Sequence, residues 1–179
     1  MRTSAAVAAL ALAFTGLLSA PAAGESPRAA AAPPDKYIQL ISKNSAKCAD
    51  VEGWSTANGG AVHQWSCRDD DNLNQLWYFA PATDHPGYYH LVNRNSYKCM
   101  DVEGPSYEDG AKVHQWECYN GPSQAWRVET VGGTWFRLVN YHSGKCLDVE
   151  ASSTADGARI HQWGCLPSLP NNQPWRYGN

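Results

Sequence analysis

The chain repeats itself three times, and that limits its fold more than any other feature. Ile38–Gly53 (IQLISKNSAKCADVEG), Tyr89–Gly104 (YHLVNRNSYKCMDVEG) and Phe136–Ala151 (FRLVNYHSGKCLDVEA) align without a gap. Each runs on to an Asn/Asp-Gly pair: Asn58-Gly59, Asp109-Gly110 and Asp156-Gly157. A His-Gln-Trp-x-Cys phrase follows (His63–Cys67, His114–Cys118, His161–Cys165), and each copy closes on Gln-x-Trp (Gln75–Trp77, Gln124–Trp126, Gln173–Trp175). The first cysteines of successive copies lie 51 and 47 positions apart. Periods of this size mark tandem supersecondary units, none of which can bury its apolar face alone.

Within a unit the hydrophobic period is that of strands. Phe136 and Leu138 alternate with Arg137, and Tyr89 and Leu91 with His90. CLDV and ARIHQW are short and rich in β-branched or aromatic residues, and the Asn/Asp-Gly pair between them is a hairpin signal. No segment sustains a 3.6-residue apolar period. Four short strands per unit, three times over, predict an all-β protein with pseudo-threefold symmetry. A closed barrel suits it, because closure removes free sheet edges.

The N-terminus reads differently. Met1-Arg2 precedes a run of small and apolar residues from Ala5 to Ala20, and Ala20-Pro21-Ala22 fits a small-x-small cleavage pattern. Residues 1–22 are therefore expected to be a secretory signal peptide, and 23–36 an Ala/Pro-rich flexible leader. The apolar run is shorter than the roughly 20 residues that span a bilayer. A secreted, extracellular protein without membrane insertion is expected, its single domain running from 37 to 179 in repeats of about 37–86, 87–133 and 134–179. Fourteen basic and 17 acidic residues give a net charge of −3, with no Lys/Arg stripe, which argues against a nucleic-acid partner.

The trio of Cys-x-Asp-Val, Trp-x-Cys and Gln-x-Trp, repeated three times, resembles the ricin-type β-trefoil lectin domain, a carbohydrate-binding module. The resemblance covers essentially all of Tyr37–Asn179 and implies a β-trefoil. It also implies a stand-alone lectin with no catalytic residues and no cofactor.

Each repeat contributes two cysteines, 19 positions apart: Cys48 and Cys67, Cys99 and Cys118, Cys146 and Cys165. Six cysteines allow 15 pairings. The threefold repeat selects one bridge inside each unit, each worth about 3 kcal/mol in the chain-entropy picture. Zinc is the rival, since a histidine lies near each pair. Export favours oxidation, and the Cys pairs lack the close spacing of a metal site.

A sugar offers an apolar C–H face and polar edges, so a site needs an aromatic platform and fixed hydrogen-bonding groups. A carboxylate is the strongest acceptor available. The resemblance implies that Trp65, Trp116 and Trp163 are platforms and that Asp50, Asp101 and Asp148 accept sugar hydroxyls. It extends the set to Asn74 and Gln75, to Gln124, and to Asn172 and Gln173. In the middle repeat Ser123 takes the asparagine position and the loop after Cys118 is two residues shorter. That site is expected to bind weakly or with altered preference. His63, His114 and His161 stand where sugar-binding repeats usually carry Gln. They are read as hydroxyl contacts or orienters of the aspartate, because positions on three separate lobes cannot share one metal ion. The Gln-x-Trp tryptophans (Trp77, Trp126, Trp175) and the layer Leu40, Leu91 and Leu138 are expected in the core.

The expected function is a monomeric lectin with up to three sites acting multivalently on an oligo- or polysaccharide containing galactose, xylose or arabinose. The rival from another class is a β-trefoil protease inhibitor acting through the insertion Ala80–Tyr89.

Overall fold

The computed structural model describes residues 32–70, 72–167 and 172–178. The expected signal peptide and most of the leader lie outside the described residues. Lobe 1 holds β1 (Ile38–Ser42), β2 (Cys48–Val51), β3 (Gly60–Trp65) and β4 (Leu76–Pro81). Lobe 2 holds β5 (Tyr89–Asn93), β6 (Cys99–Val102), β7 (Val113–Trp116) and β8 (Ala125–Gly132). Lobe 3 holds β9 (Trp135–Asn140), β10 (Cys146–Val149), β11 (Ile160–Trp163) and β12 (Trp175–Tyr177). The described residues contain short 3-10 turns but no α-helix, and no helix long and apolar enough to cross a membrane.

First and last strands of the lobes pair in the cycle β1, β4, β5, β8, β9, β12 and back to β1, every pair antiparallel. This six-stranded ring has no free edge. The middle strands form three hairpins, β2–β3, β6–β7 and β10–β11, that cap one end of the barrel. They meet through β3 and β7 and through single bridges His63↔Arg159 and Lys112↔His161. The fold is a β-trefoil.

The repeats explain the core. Leu40, Leu91 and Leu138 are wholly buried, as are Trp77, Trp126 and Trp175. A buried indole needs an acceptor for its N–H. The three Nε1 atoms donate to the carbonyls of Ala49 (3.0 Å), Met100 (3.1 Å) and Leu147 (3.2 Å). Each core tryptophan thus ties the hairpin strand of its own lobe to the barrel. Cys48–Cys67, Cys99–Cys118 and Cys146–Cys165 are disulfide-bonded, one bridge per lobe.

The Asn/Asp-Gly pair does not form a tight local hairpin. Val51 and Gly60 are joined by a longer connection that begins with a 3-10 turn at Glu52–Trp54. Only the glycines take positive φ (Gly59 81°, Gly110 83°, Gly157 78°). Their polar neighbours reach into another lobe. Asn58 Oδ1 accepts from the backbone N–H of Glu117 (3.0 Å), Asp109 Oδ1 from Gly164 (2.8 Å) and Asp156 Oδ1 from Ser66 (2.7 Å). Two seams add ion pairs, Lys47–Asp156 and Lys145–Asp109, each at 2.7 Å.

The glutamine of His-Gln-Trp completes this clasp. Gln64, Gln115 and Gln162 are fully buried and point away from the neighbouring His and Trp, as strand alternation requires. Gln64 Nε2 donates to the carbonyls of Ser153 and Ala155 in lobe 3 (2.9 and 2.8 Å). Gln115 holds Ser55 and Ala57 of lobe 1, and Gln162 holds Ser106 and Glu108 of lobe 2. Each Oε1 accepts from a serine of its own lobe: Ser45, Ser96 or Ser143. Every lobe therefore grips one neighbour's turn and is gripped by the other.

Candidate functional site

Strand register brings the expected residues together. Asp50 in β2 lies opposite His63 in β3, Asp101 opposite His114, and Asp148 opposite His161. Two residues further along the outer strand, the tryptophan emerges on the same face as the histidine. Trp65, Trp116 and Trp163 are 39%, 40% and 40% exposed. Their rings lie 5.5, 5.4 and 5.6 Å from the imidazoles of His63, His114 and His161, each tilted by 25°. The neighbouring lobe supports each platform from behind. A Cβ placed on Gly157, Gly59 or Gly110 would sit 3.9 Å from Cζ3 of Trp65, Trp116 or Trp163 respectively.

Three open pockets result, one per lobe. Lobe 1 offers about 350 Å³ between Asp50, Glu52, Trp54, His63, Trp65 and Arg68. Lobe 2 offers about 410 Å³ between Asp101, Glu103, Pro105, His114, Trp116 and Tyr119. Lobe 3 offers about 400 Å³ between Asp148, Glu150, His161, Trp163, Leu166 and Asn172.

The aspartates are the hubs, buried to 1–3% exposure. Asp148 Oδ1 accepts from His161 Nε2 (3.0 Å) and Asn172 Nδ2 (2.9 Å), and Oδ2 accepts from Asn172 Nδ2 (3.0 Å) and Gln173 Nε2 (2.9 Å). Asp50 Oδ1 accepts from His63 Nε2 (3.1 Å) and Asn74 Nδ2 (2.8 Å). Its Oδ2 accepts from Gln75 Nε2 (2.8 Å) and Arg68 NH2 (3.3 Å). Surrounded only by donors, these carboxylates are fixed acceptors. His63 and His161 orient them from the pocket wall.

Lobe 2 departs from this pattern. Asp101 Oδ2 accepts from Gln124 Nε2 (2.9 Å), but among the described residues Oδ1 has no partner. Ser123 is too short to reach it, and its Oγ instead lies 2.8 Å from the Tyr119 hydroxyl. Burial above all, together with the nearby Asp101 carboxylate, raises the Tyr119 hydroxyl above the usual phenol range, so it keeps its proton at neutral pH.

The glutamines Gln75, Gln124 and Gln173, expected as sugar contacts, stand behind the pocket walls. They are buried and absent from the pocket walls. Each Nε2 is shared between the aspartate and the carbonyl of Ser66, Glu117 or Gly164. Each Oε1 accepts the backbone N–H of Arg68, Tyr119 or Leu166. With every polar group committed, they act on the pocket through the aspartate. Asn74 is likewise buried behind Asp50, whereas Asn172 reaches the wall of its pocket.

Two sets of wall residues escape the sequence reading. Glu52, Glu103 and Glu150 line all three rims, and their signal was their recurrence after each Asp-Val. Arg68, Tyr119 and Leu166 follow the second cysteine of each repeat and differ in every lobe, so repetition could not point to them. Among the described residues no group of three His, Cys, Asp or Glu is arranged to hold a metal ion.

A trefoil with an aromatic, carboxylate-floored pocket on each lobe defines a class, and the sequence agrees. It matches the ricin-type beta-trefoil lectin domain-like family over residues 30–84 and 73–163, and the chain belongs to that family. Among solved structures, the designed threefold-symmetric protein ThreeFoil is 41% identical with a TM-score of 0.74, the match covering 80% of this chain and 98% of that one. 1,3Gal43A, an exo-beta-1,3-galactanase from Clostridium thermocellum, is 33% identical with a TM-score of 0.74 over 82% of this chain. The hemolytic lectin CEL-III is 29% identical with a TM-score of 0.63 over 80% of this chain. The chain spans only 30% of the length of each of those last two proteins. Among curated proteins, no sequence matches this chain.

Proposed function

We propose that the protein is a secreted, non-catalytic, monomeric lectin whose three pockets bind a galactose-, xylose- or arabinose-containing polysaccharide multivalently. One observation carries the reading: each lobe sets a buried aspartate, a histidine and a tryptophan 39–40% exposed around one open pocket. In lobes 2 and 3 a buried oxygen on a wall residue, Asp101 Oδ1 or Asn172 Oδ1, has no partner among the described residues. An unpaired buried acceptor costs about 1–3 kcal/mol, a cost that a ligand donor would offset. A sugar hydroxyl beside an exposed indole is such a donor. A protease inhibitor working through one loop would have no use for the same arrangement in every lobe. Similarity to part of an exo-beta-1,3-galactanase favours galactan as the first polymer to try.

Affinity arithmetic explains why three sites serve better than one. A monosaccharide of about 12 heavy atoms at about −0.3 kcal/mol per atom reaches about −4 kcal/mol, roughly millimolar. Simultaneous engagement of linked sites adds a factor on the order of 10² to 10⁴. Calorimetry with galactose, xylose and arabinose beside soluble β-1,3-galactan, xylan and arabinan tests the reading. At least one polymer is expected to bind on the order of a hundredfold more tightly than its monomer. Equal affinity for polymer and monomer would remove multivalency, and silence toward all six would remove the lectin reading.

A further inference from the structure

Resting on that lectin reading, we propose that the three pockets are graded: the middle lobe is the primary site, and Arg68 holds lobe 1 at low affinity. The sequence, with its missing asparagine and shortened loop, suggests the opposite for lobe 2.

The departures in lobe 2 fit one another. Where the other lobes have asparagine, lobe 2 has Ser123, and the Tyr119 hydroxyl closes on it, 2.8 Å from Ser123 Oγ. The ring lies so closely across the shortened loop that a Cβ on Gly121 would fall 1.9 Å from Tyr119 Cε2. Only glycine permits that approach. Tyrosine, glycine and serine therefore form one arrangement, unlike the scattered losses of a decaying site. Its product is a pocket lined by two exposed aromatics, Trp116 and Tyr119. The unpaired acceptor also changes character. In lobe 3 it is an amide oxygen, Asn172 Oδ1; in lobe 2 it is a carboxylate oxygen, Asp101 Oδ1, on a side chain 3% exposed. Hydrogen bonds to an ionised acceptor are roughly twice as strong as neutral ones.

Lobe 1 has the reverse arrangement. Both oxygens of Asp50 are taken, the last by Arg68 at 3.3 Å. The guanidinium is also held over the Trp54 ring, 5.5 Å from its centroid. A sugar hydroxyl must displace that contact to reach the carboxylate. Lobe 1 also has the smallest of the three pockets.

The test isolates each lobe by removing the other two platforms: W65A/W163A leaves lobe 2, W116A/W163A leaves lobe 1 and W65A/W116A leaves lobe 3. Each protein is titrated calorimetrically with β-1,3-galactobiose, xylobiose and arabinobiose, after circular dichroism and melting confirm the fold. The lobe-2 protein is expected to bind the best of these probes about fivefold or more tightly than the lobe-1 protein. In the lobe-1 protein, Arg68→Ala is expected to raise affinity severalfold, because it removes the weaker of the two donors on Asp50 Oδ2 and leaves only Gln75 there. In the lobe-2 protein, Gly121→Ala is expected to lower it by displacing Tyr119. If wild type binds a probe but lobe 2 is not the tightest, or if Arg68→Ala weakens lobe 1, the grading is overturned while the lectin reading stands. If wild type binds none of the probes and none of the polymers, both fall together.

Discussion

Replacing Asp148 with alanine separates two roles that a binding assay alone would merge. Asp148 is 2% exposed and accepts from His161, Asn172 and Gln173. Removing it strips three donor groups of a partner at once. Two of them keep a second bond, Asn172 Nδ2 to the carbonyl of Val149 (3.2 Å) and Gln173 Nε2 to that of Gly164 (2.9 Å), so only one hydrogen of each amide is orphaned. At about 1–3 kcal/mol per orphaned group the upper range is severe. The pocket is open and water can enter it, which favours the lower end, about 3 kcal/mol in total. Against a domain stability of about 5–15 kcal/mol that is a large fraction, and it corresponds to a melting temperature lower by roughly 10 °C. Trp163→Ala at the same site removes a side chain that is already 40% exposed and no hydrogen bond, so its cost should stay near 1 kcal/mol. The expected pattern is loss of sugar binding at lobe 3 in both variants, with a large drop in melting temperature only for Asp148→Ala, read by calorimetric melting. An Asp148→Ala protein that melts within about 2 °C of wild type would refute the hub reasoning.

Three further outcomes follow from the same contacts. Gln162→Ala leaves the carbonyls of Ser106 and Glu108 and the hydroxyl of Ser143 without their partner; chemical denaturation should show a loss of about 2–4 kcal/mol, with hydrogen exchange rising first along the seam between lobes 2 and 3. Ala151 occupies the left-handed region (φ 53°) that Gly53 and Gly104 hold in the other lobes, so Ala151→Gly should stabilise by about 0.5–1 kcal/mol, the relief of strain exceeding glycine's extra chain entropy. Lys145 holds Asp109 below the usual carboxylate range, and Lys47 does the same for Asp156. A depressed folded-state pKa means the unfolded chain takes up protons first in acid. This contribution is therefore complete above about pH 4 and lost as pH falls below it. Melting curves from pH 7 to pH 2 should steepen in their fall over that window, and Asp109→Asn with Asp156→Asn should flatten it.

The sequence made the architecture legible because the same physical demand recurs three times. A core tryptophan, an inward leucine and a cysteine pair at fixed spacing can be read from any one lobe and checked against the other two. The direction of contacts was harder. Asn58, Asp109 and Asp156 look like local turn residues, since Asx-Gly satisfies a hairpin by itself, yet their side chains bind backbone across a seam. Strand alternation turns Gln162 away from His161 and Trp163, but no period within one repeat shows that another lobe waits there. Gln173 beside Asn172 looks like a second sugar contact, and only the closed bonding of its amide places it behind the carboxylate. Arg68, Tyr119 and Leu166 lay beyond reach for the opposite reason. A search for what recurs passes over the wall where the lobes differ.

The clasp made by Gln64, Gln115 and Gln162 has the form of a head-to-tail interface that closes after three copies. A single repeat alone would carry a donor with no turn to hold and a turn with no donor to hold it. Three separate copies could satisfy one another as a ring, and joining them end to end supplies the same contacts at high effective concentration. The covalent link also removes a restriction. In a ring of identical subunits, any change to one pocket is a change to all. In a single chain, Arg68, Tyr119 and Leu166 can differ while the interlocking glutamines stay the same.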